Sequence, residues 1–235
     1  STRYRHQESK NMKIYFDGCS YTRGSPRWGV DNWKQRRWTK LLSDKLGGEE
    51  YNYSISGGSN PRILRNLTTV HDIKEYDLAV ILMSRPTRTE YYKDGKFRHV
   101  VPSKRFKHPS GGVDSEDDAW FWHNYYRKIY HDEFGAAYEE MIQKSIKAIC
   151  EVNKVPLVLM SNYEKTELSF DLMVHCKIYG RTSPTDKHPG LDAQPKIAND
   201  IYNFINIATC IVFNYKLSLL FFQFYAKFAE KLVRR

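Results

Sequence analysis

Lys13-Ile14-Tyr15-Phe16-Asp17-Gly18-Cys19-Ser20-Tyr21-Thr22-Arg23-Gly24 is the stretch whose reading decides the fold. Its first five residues read as a short buried strand that stops at a glycine-containing turn. A hydroxyl-bearing side chain, Ser20, follows just past the strand end. In an open sheet with helices on both faces, binding and reacting groups collect at the C-terminal ends of the strands. The question is therefore whether the rest of the chain supplies such a sheet.

The remaining sequence alternates in that way. Residues 32–46 carry Trp33, Arg37, Trp38, Leu41, Leu42 and Leu46 at roughly helical spacing, and 50–55 reads as a second strand closed by Gly57-Gly58. Ser59 is placed to cap a helix over 60–70, with Pro61 tolerated in its first turn. Asp77 to Met83 (DLAVILM) is an almost continuous apolar run, as expected of a strand covered on both faces. Residues 85–116 show no period and read as a long loop or insertion, and 117–152 reads as two helical segments meeting near Gly135. In the second segment Ala137, Met141, Ile142, Ile146, Ile149 and Cys150 form an apolar stripe. A strand over 155–160 and a helix over 191–207, starting after His188-Pro189-Gly190, complete the series. The order predicts a three-layer α/β/α domain with a parallel, flavodoxin-like sheet over residues 12–209. Residues 1–11 read as an extension and 210–235 as an appended amphipathic helix.

Composition bounds the function. The chain of 235 residues has 41% hydrophobic and 27% charged residues and a net charge of +10, with aromatics at 14%. This describes a soluble globular domain with a basic surface, and no five-residue run of Lys or Arg marks a nucleic-acid arm. No specific nucleic-acid partner is expected. Cys19, Cys150, Cys176 and Cys210 lack CxxC spacing, which argues against a zinc site or a disulfide framework. His99, His108, His123 and His131 form no HxxxH pair, so neither a metal nor a cofactor is expected. Residues 1–11 have no apolar core, so no signal peptide is read, and the expected location is cytoplasmic or virion-associated. In the tail, Leu217, Leu220, Phe221, Phe224, Phe228 and Leu232 follow helical spacing, but Lys216, Gln223 and Lys227 interrupt any transmembrane span. The tail reads first as a packing or self-association helix, and second as an interfacial membrane helix.

Three short blocks carry a resemblance. Asp17-Gly18-Cys19-Ser20-Tyr21-Thr22 resembles the first block of the SGNH (GDSL-type) serine hydrolases, usually written GDSxT, in the Cys-Ser form of divergent, phage-like relatives. Asn52-Tyr53-Ser54-Ile55-Ser56-Gly57-Gly58-Ser59-Asn60 resembles the second block, and Asp186-Lys187-His188-Pro189 the last. The resemblance implies Ser20 as nucleophile, His188 as base and Asp186 as the acid that orients it. It also implies a backbone N–H of Gly57 in the oxyanion hole, with Asn60 and Arg88 as further oxyanion or substrate-binding candidates. The chemistry suits these residue types: a serine hydroxyl needs an imidazole to take its proton, and a carboxylate to orient that imidazole.

Two departures stand beside the resemblance. The family's third block carries Gly-x-Asn, whereas here Ser84-Arg85-Pro86-Thr87-Arg88 follows DLAVILM. Arg88 is read either as a substitute oxyanion donor or as part of a structural ion pair. The family's acid also stands three residues before the His, whereas Asp186 stands two before His188, which leaves Asp192 as another candidate acid. The reading implied is a serine esterase or deacetylase acting on small acyl esters, such as O-acetylated glycans or lipid esters. The alternative is a catalytically impaired member of the fold acting as a binding or virion structural protein. The mixed aromatic and basic residues from Tyr91 to Trp122 suit a carbohydrate or equally a protein contact.

Overall fold

Five strands form one sheet in the order β2-β1-β3-β6-β7, every neighbouring pair parallel. They are β1 (Met12–Asp17), β2 (Gly48–Asn52), β3 (Leu78–Met83), β6 (Leu157–Ser161) and β7 (Leu172–Met173). A separate antiparallel hairpin pairs β4 (Thr89–Lys93) with β5 (Lys96–Val100). The computed structural model describes residues 11–25, 29–102, 115–164, 166, 168–181 and 188–209. The appended helix expected at 210–235 lies outside them, as do the extension at 1–10 and most of the predicted insertion beyond β5.

The sheet is covered on both faces, and the alternation of side chains along the strands shows how. Ile14, Phe16, Val80 and Leu82 pack on one side with Trp38 and Leu42 of α2 (Trp38–Lys45) and with Ile197 and Ile201 of the helix over residues 194–209. Tyr15, Ala79, Ile81 and Met83 face the other side. There they meet Ile63 of α3 (Asn60–Arg65) and Ile142 and Ile146 of α5 (Asp132–Val152). β3 is buried at all six positions because it lies at the centre of the sheet with a helical layer on each side. Truncating a residue such as Ile146, fully buried in this layer, to alanine costs about 2–5 kcal/mol.

The structure departs from the sequence-based expectation at four places. The expected loop over 85–116 contains the β4–β5 hairpin and the start of α4 (Glu116–Lys128). The hairpin turns at Asp94-Gly95, both at positive φ (50° and 73°), as a two-residue turn between twisted strands requires. The helical break falls at residues 129–131 rather than at Gly135, where the Tyr130 ring packs against the glycine and leaves no room for a Cβ. The helix expected over 32–46 divides into a 3₁₀ turn, Trp33–Arg36, and α2. Last, β7 is an additional strand of two residues at the sheet edge.

Candidate active site

β1 ends at Asp17, and the chain turns through Gly18 and Cys19 into α1 (Ser20–Arg23), of which Ser20 is the first residue. Gly18 is required by crowding: a Cβ there would lie 2.8 Å from the Leu82 carbonyl oxygen and would run into the Thr22 side chain. The Cys19 carbonyl accepts from both Thr22 N and Arg23 N at 3.0 Å, which closes the short helix and fixes Ser20 at its start. The Cys19 thiol is buried and accepts from Asn162 Nδ2 at 3.1 Å, so the residue before Ser20 is also tied to the end of β6.

Ser20 Oγ lies 2.7 Å from His188 Nε2. The two residues are 168 positions apart in sequence, and local structure cannot bring them together. The imidazole packs against the Tyr21 ring, with centroids 5.0 Å apart. The chain just after it is held by Gln194, whose Nε2 donates to the carbonyls of Pro189 (3.3 Å) and Gly190 (3.0 Å). Gln194 Oε1 in turn accepts from the Trp38 N–H that opens α2, at 3.1 Å. Asp186 lies outside the described residues, and Asp192, in a 3₁₀ turn Leu191–Ala193, is exposed.

The second block forms the adjoining wall. Gly57 has φ +76°, a conformation that side-chain-bearing residues adopt at a cost. A Cβ on Gly58 would meet the Gly18 carbonyl oxygen at 2.5 Å, so the two glycine turns approach backbone to backbone. Among the described residues, neither the Ser20 N–H nor the Gly57 N–H has a hydrogen-bond acceptor. Unfilled N–H groups of this kind, beside a serine at a helix start, suit a developing oxyanion. Arg88 reaches the same turn, with its guanidinium 3.5 Å from the Gly58 carbonyl. Asn60 is buried and its amide is largely committed: Oδ1 accepts from Ser84 N at 2.7 Å, and Nδ2 donates to Ser84 O at 2.9 Å. This clamp joins α3 to the chain leaving β3 and leaves one amide N–H of Asn60 for other uses.

Two features of the site were not anticipated from sequence. Asp17 is fully buried and is the hub of a polar network. It accepts from Gly18 N (2.7 Å), Arg62 (2.7 Å), Asn66 (2.8 Å) and the Tyr15 hydroxyl (3.1 Å). Burial, and then the Asp17 charge, push the Tyr15 phenol far above its usual range. The signal for Asp17 was a carboxylate closing an otherwise apolar strand. The second feature is the end of the hairpin, which roofs the Gly57 turn: a Cβ there would stand 3.1 Å from Val101 and 3.8 Å from the His99 ring. Burial first, then the Arg62 charge, lower the His99 pKa, so its imidazole is neutral near pH 7. Bidentate pairing of Arg65 with Glu90 (2.7 and 2.9 Å) pins the hairpin to α3. No group of three or more metal-ligating side chains occurs among the described residues, and no helix among them is long and apolar enough to cross a membrane.

The described chain shares its three-layer α/β/α fold with a solved esterase. It superposes on the psychrotrophic esterase EstA from Pseudoalteromonas sp., in a structure inhibited by monoethylphosphonate, with a TM-score of 0.50 and 16% identity over 85% of this chain and 99% of that one. A putative lipolytic protein of the G-D-S-L family from Desulfitobacterium hafniense is also similar, with a TM-score of 0.47 and 12% identity over 83% of this chain and 99% of that one. No family model matches the sequence, and no curated protein matches it.

Proposed function

We propose that this protein is a serine ester hydrolase that works through an acyl-enzyme. The observation that carries the reading is the 2.7 Å contact between Ser20 Oγ and His188 Nε2, made across 168 residues at the C-terminal edge of a parallel sheet. In the proposed reaction Ser20 Oγ attacks the ester carbonyl carbon while His188 Nε2 takes its proton. The negative charge on the carbonyl oxygen is held by the N–H groups of Ser20 and Gly57, with Arg88 as a further donor. His188 then gives its proton to the departing alcohol, and water, deprotonated by His188, releases the acid from Ser20. Asp186 is assigned the orienting carboxylate, with Asp192 the other candidate. The substrates proposed are small acyl esters, of which O-acetylated sugars and lipid esters are the leading classes.

The test is intact mass after exposure to a fluorophosphonate, a probe that needs an activated serine and no choice of substrate. One adduct is expected on the native chain, with labelling reduced at least roughly a hundredfold by Ser20→Ala or His188→Ala, since nucleophile and base act as a unit. Both variants should unfold within about 0.5 kcal/mol of the native chain, because neither opens the core. Folded protein that takes no label across pH 6–9 would overturn the hydrolase reading. It would favour the second one, a non-catalytic binding protein, which the absence of Gly-x-Asn after β3 supports.

A further inference from the structure

A cavity of about 550 Å³ opens between the chain leaving β3, the N-terminal half of α5 and the chain leaving β6. Its walls carry Pro86 and Thr87 on the first side and Tyr163 and Thr166 on the last. Two of its lining residues neighbour residues of the candidate site in sequence: Thr87 immediately precedes Arg88, and Tyr163 follows the Asn162 that touches Cys19. In a chain of net charge +10, this cavity is acidic, lined by Asp132, Glu133, Glu139 and Glu140.

Three of these carboxylates have ordinary explanations. Asp132 and Glu133 occupy the first turn of α5, where the helix dipole favours negative charge. Glu140 is paired with Lys144 one turn on. Glu139 has neither excuse. It is only 3% exposed, and its sole partner among the described residues is the Thr166 hydroxyl, donating to Oε2 at 3.4 Å. Oε1 has no partner among the described residues, and neither does the buried hydroxyl of Tyr130, a residue that lines the same cavity. A buried carboxyl oxygen left unmatched costs about 1–3 kcal/mol, a penalty that a ligand donor would remove.

We infer that this cavity is a subsite for a primary ammonium group on a small organic ligand, held by Glu139 Oε1 and the Tyr130 hydroxyl. The ionised Glu139 carboxylate only accepts and the Tyr130 hydroxyl can accept, so a ligand rich in donors suits both, and an ammonium brings three of them along with the charge that matches the walls. The volume is that of a pocket for a sugar-sized molecule. Burial pushes the Glu139 carboxyl up to about 7, so in the empty site it is about half protonated at neutral pH. An ammonium favours the ionised form, and its binding therefore releases a proton. The groups facing Glu139 are Asp132, Glu133 and Glu140 from α5, Tyr130 before it and Tyr163 after β6, with Arg85 acting on Tyr163. Glu139, whose carboxyl pKa is raised by burial, is assigned as the source of the proton.

The experiment is calorimetric titration of the full chain at pH 7 with glucosamine and with spermidine, each in phosphate and in MOPS, and with N-acetylglucosamine as the neutral control. The expected result is that at least one amine binds, with about half a proton released per ligand, while N-acetylglucosamine binds at least tenfold more weakly. Tighter binding of glucosamine would mark the source as an amino sugar, and tighter binding of spermidine a linear amine. Glu139→Gln should weaken the amine at least tenfold and abolish the proton release, and Tyr130→Phe, which keeps the ring and removes only the hydroxyl, should weaken it about threefold. Ser20→Ala should bind as the native chain does, so the outcome is independent of the hydrolase reading. No amine binding at millimolar concentration, equal binding of the neutral sugar, or unchanged affinity in Glu139→Gln would each overturn the proposal.

Discussion

Replacing Arg62 by methionine tests the idea that the nucleophile turn is held from beneath by a buried charge pair. Asp17 is fully buried, and the Arg62 side chain beside it is only 10% exposed, with the two at 2.7 Å. Arg62 also donates to the Tyr53 carbonyl, which ends the chain running from β2. The substitution keeps most of the volume and removes both donors, leaving a carboxylate with only Gly18 N, Asn66 and the Tyr15 hydroxyl. Breaking a buried pair on one side costs about 3–5 kcal/mol, because an uncompensated charge is left behind. With a urea dependence near 3 kcal/mol per molar, the unfolding midpoint should fall by roughly 1–1.7 M. The double variant Asp17→Asn, Arg62→Met removes the stranded charge and should be more stable than Arg62→Met alone. Because Asp17 also accepts from Gly18 N, fluorophosphonate labelling of Ser20 should slow in the single variant even where it is fully folded. A midpoint shift below 0.3 M, or a double variant less stable than the single one, would refute the reasoning.

Asn60→Ala removes both bonds that tie α3 to Ser84 and strands a buried N–H and C=O; a loss of about 2–4 kcal/mol in urea unfolding is expected, and a loss under 1 kcal/mol would mean that the two chains hold together without the clamp. Glu139 gives a pH signature of its own. Its folded pKa of about 7 lies above the unfolded value near 4.5, so the folded state binds the extra proton and stability falls as pH rises from about 4.5 to 7. Glu139→Gln should flatten that fall and be more stable than the native chain at pH 8 by up to about 3 kcal/mol, with little difference at pH 4. Parallel stability–pH curves for the two proteins would contradict it.

The frame of the fold was legible because its strongest signals are local. The run DLAVILM reads as a strand buried on both faces, and β3 is buried at every position. Ser20 and His188 stood out by the resemblance of their motifs and their order after successive elements, and the fold brings the two side chains to 2.7 Å. What escaped the sequence is chiefly what depends on distant partners. The buried role of Asp17 is set by Arg62 and Asn66, 45 and 49 residues away, and no window of sequence contains them. The stripe read along α5 put Met141 in the core, yet it is 52% exposed, while Glu139 and Gln143 are buried. That face packs partly on the loop after β6, whose backbone gives Gln143 a partner at Ser169. The hairpin did carry a local signal, the Asp94-Gly95 turn, but its flanking strands are half exposed and rich in Lys, Arg and Tyr, so no period-2 apolar pattern drew attention to it.

The anchoring of His188 through Gln194 to the start of α2 has a consequence for how the protein comes into being. During synthesis the serine turn emerges with the first strand, but its imidazole follows only 168 residues later, and the helix that tethers it later still. Every chain that stops short of that helix is thus chemically silent at Ser20 on the proposed reading. A nick that frees the helix over 194–209 would return a mature molecule to that silent condition while leaving most of its sheet in place.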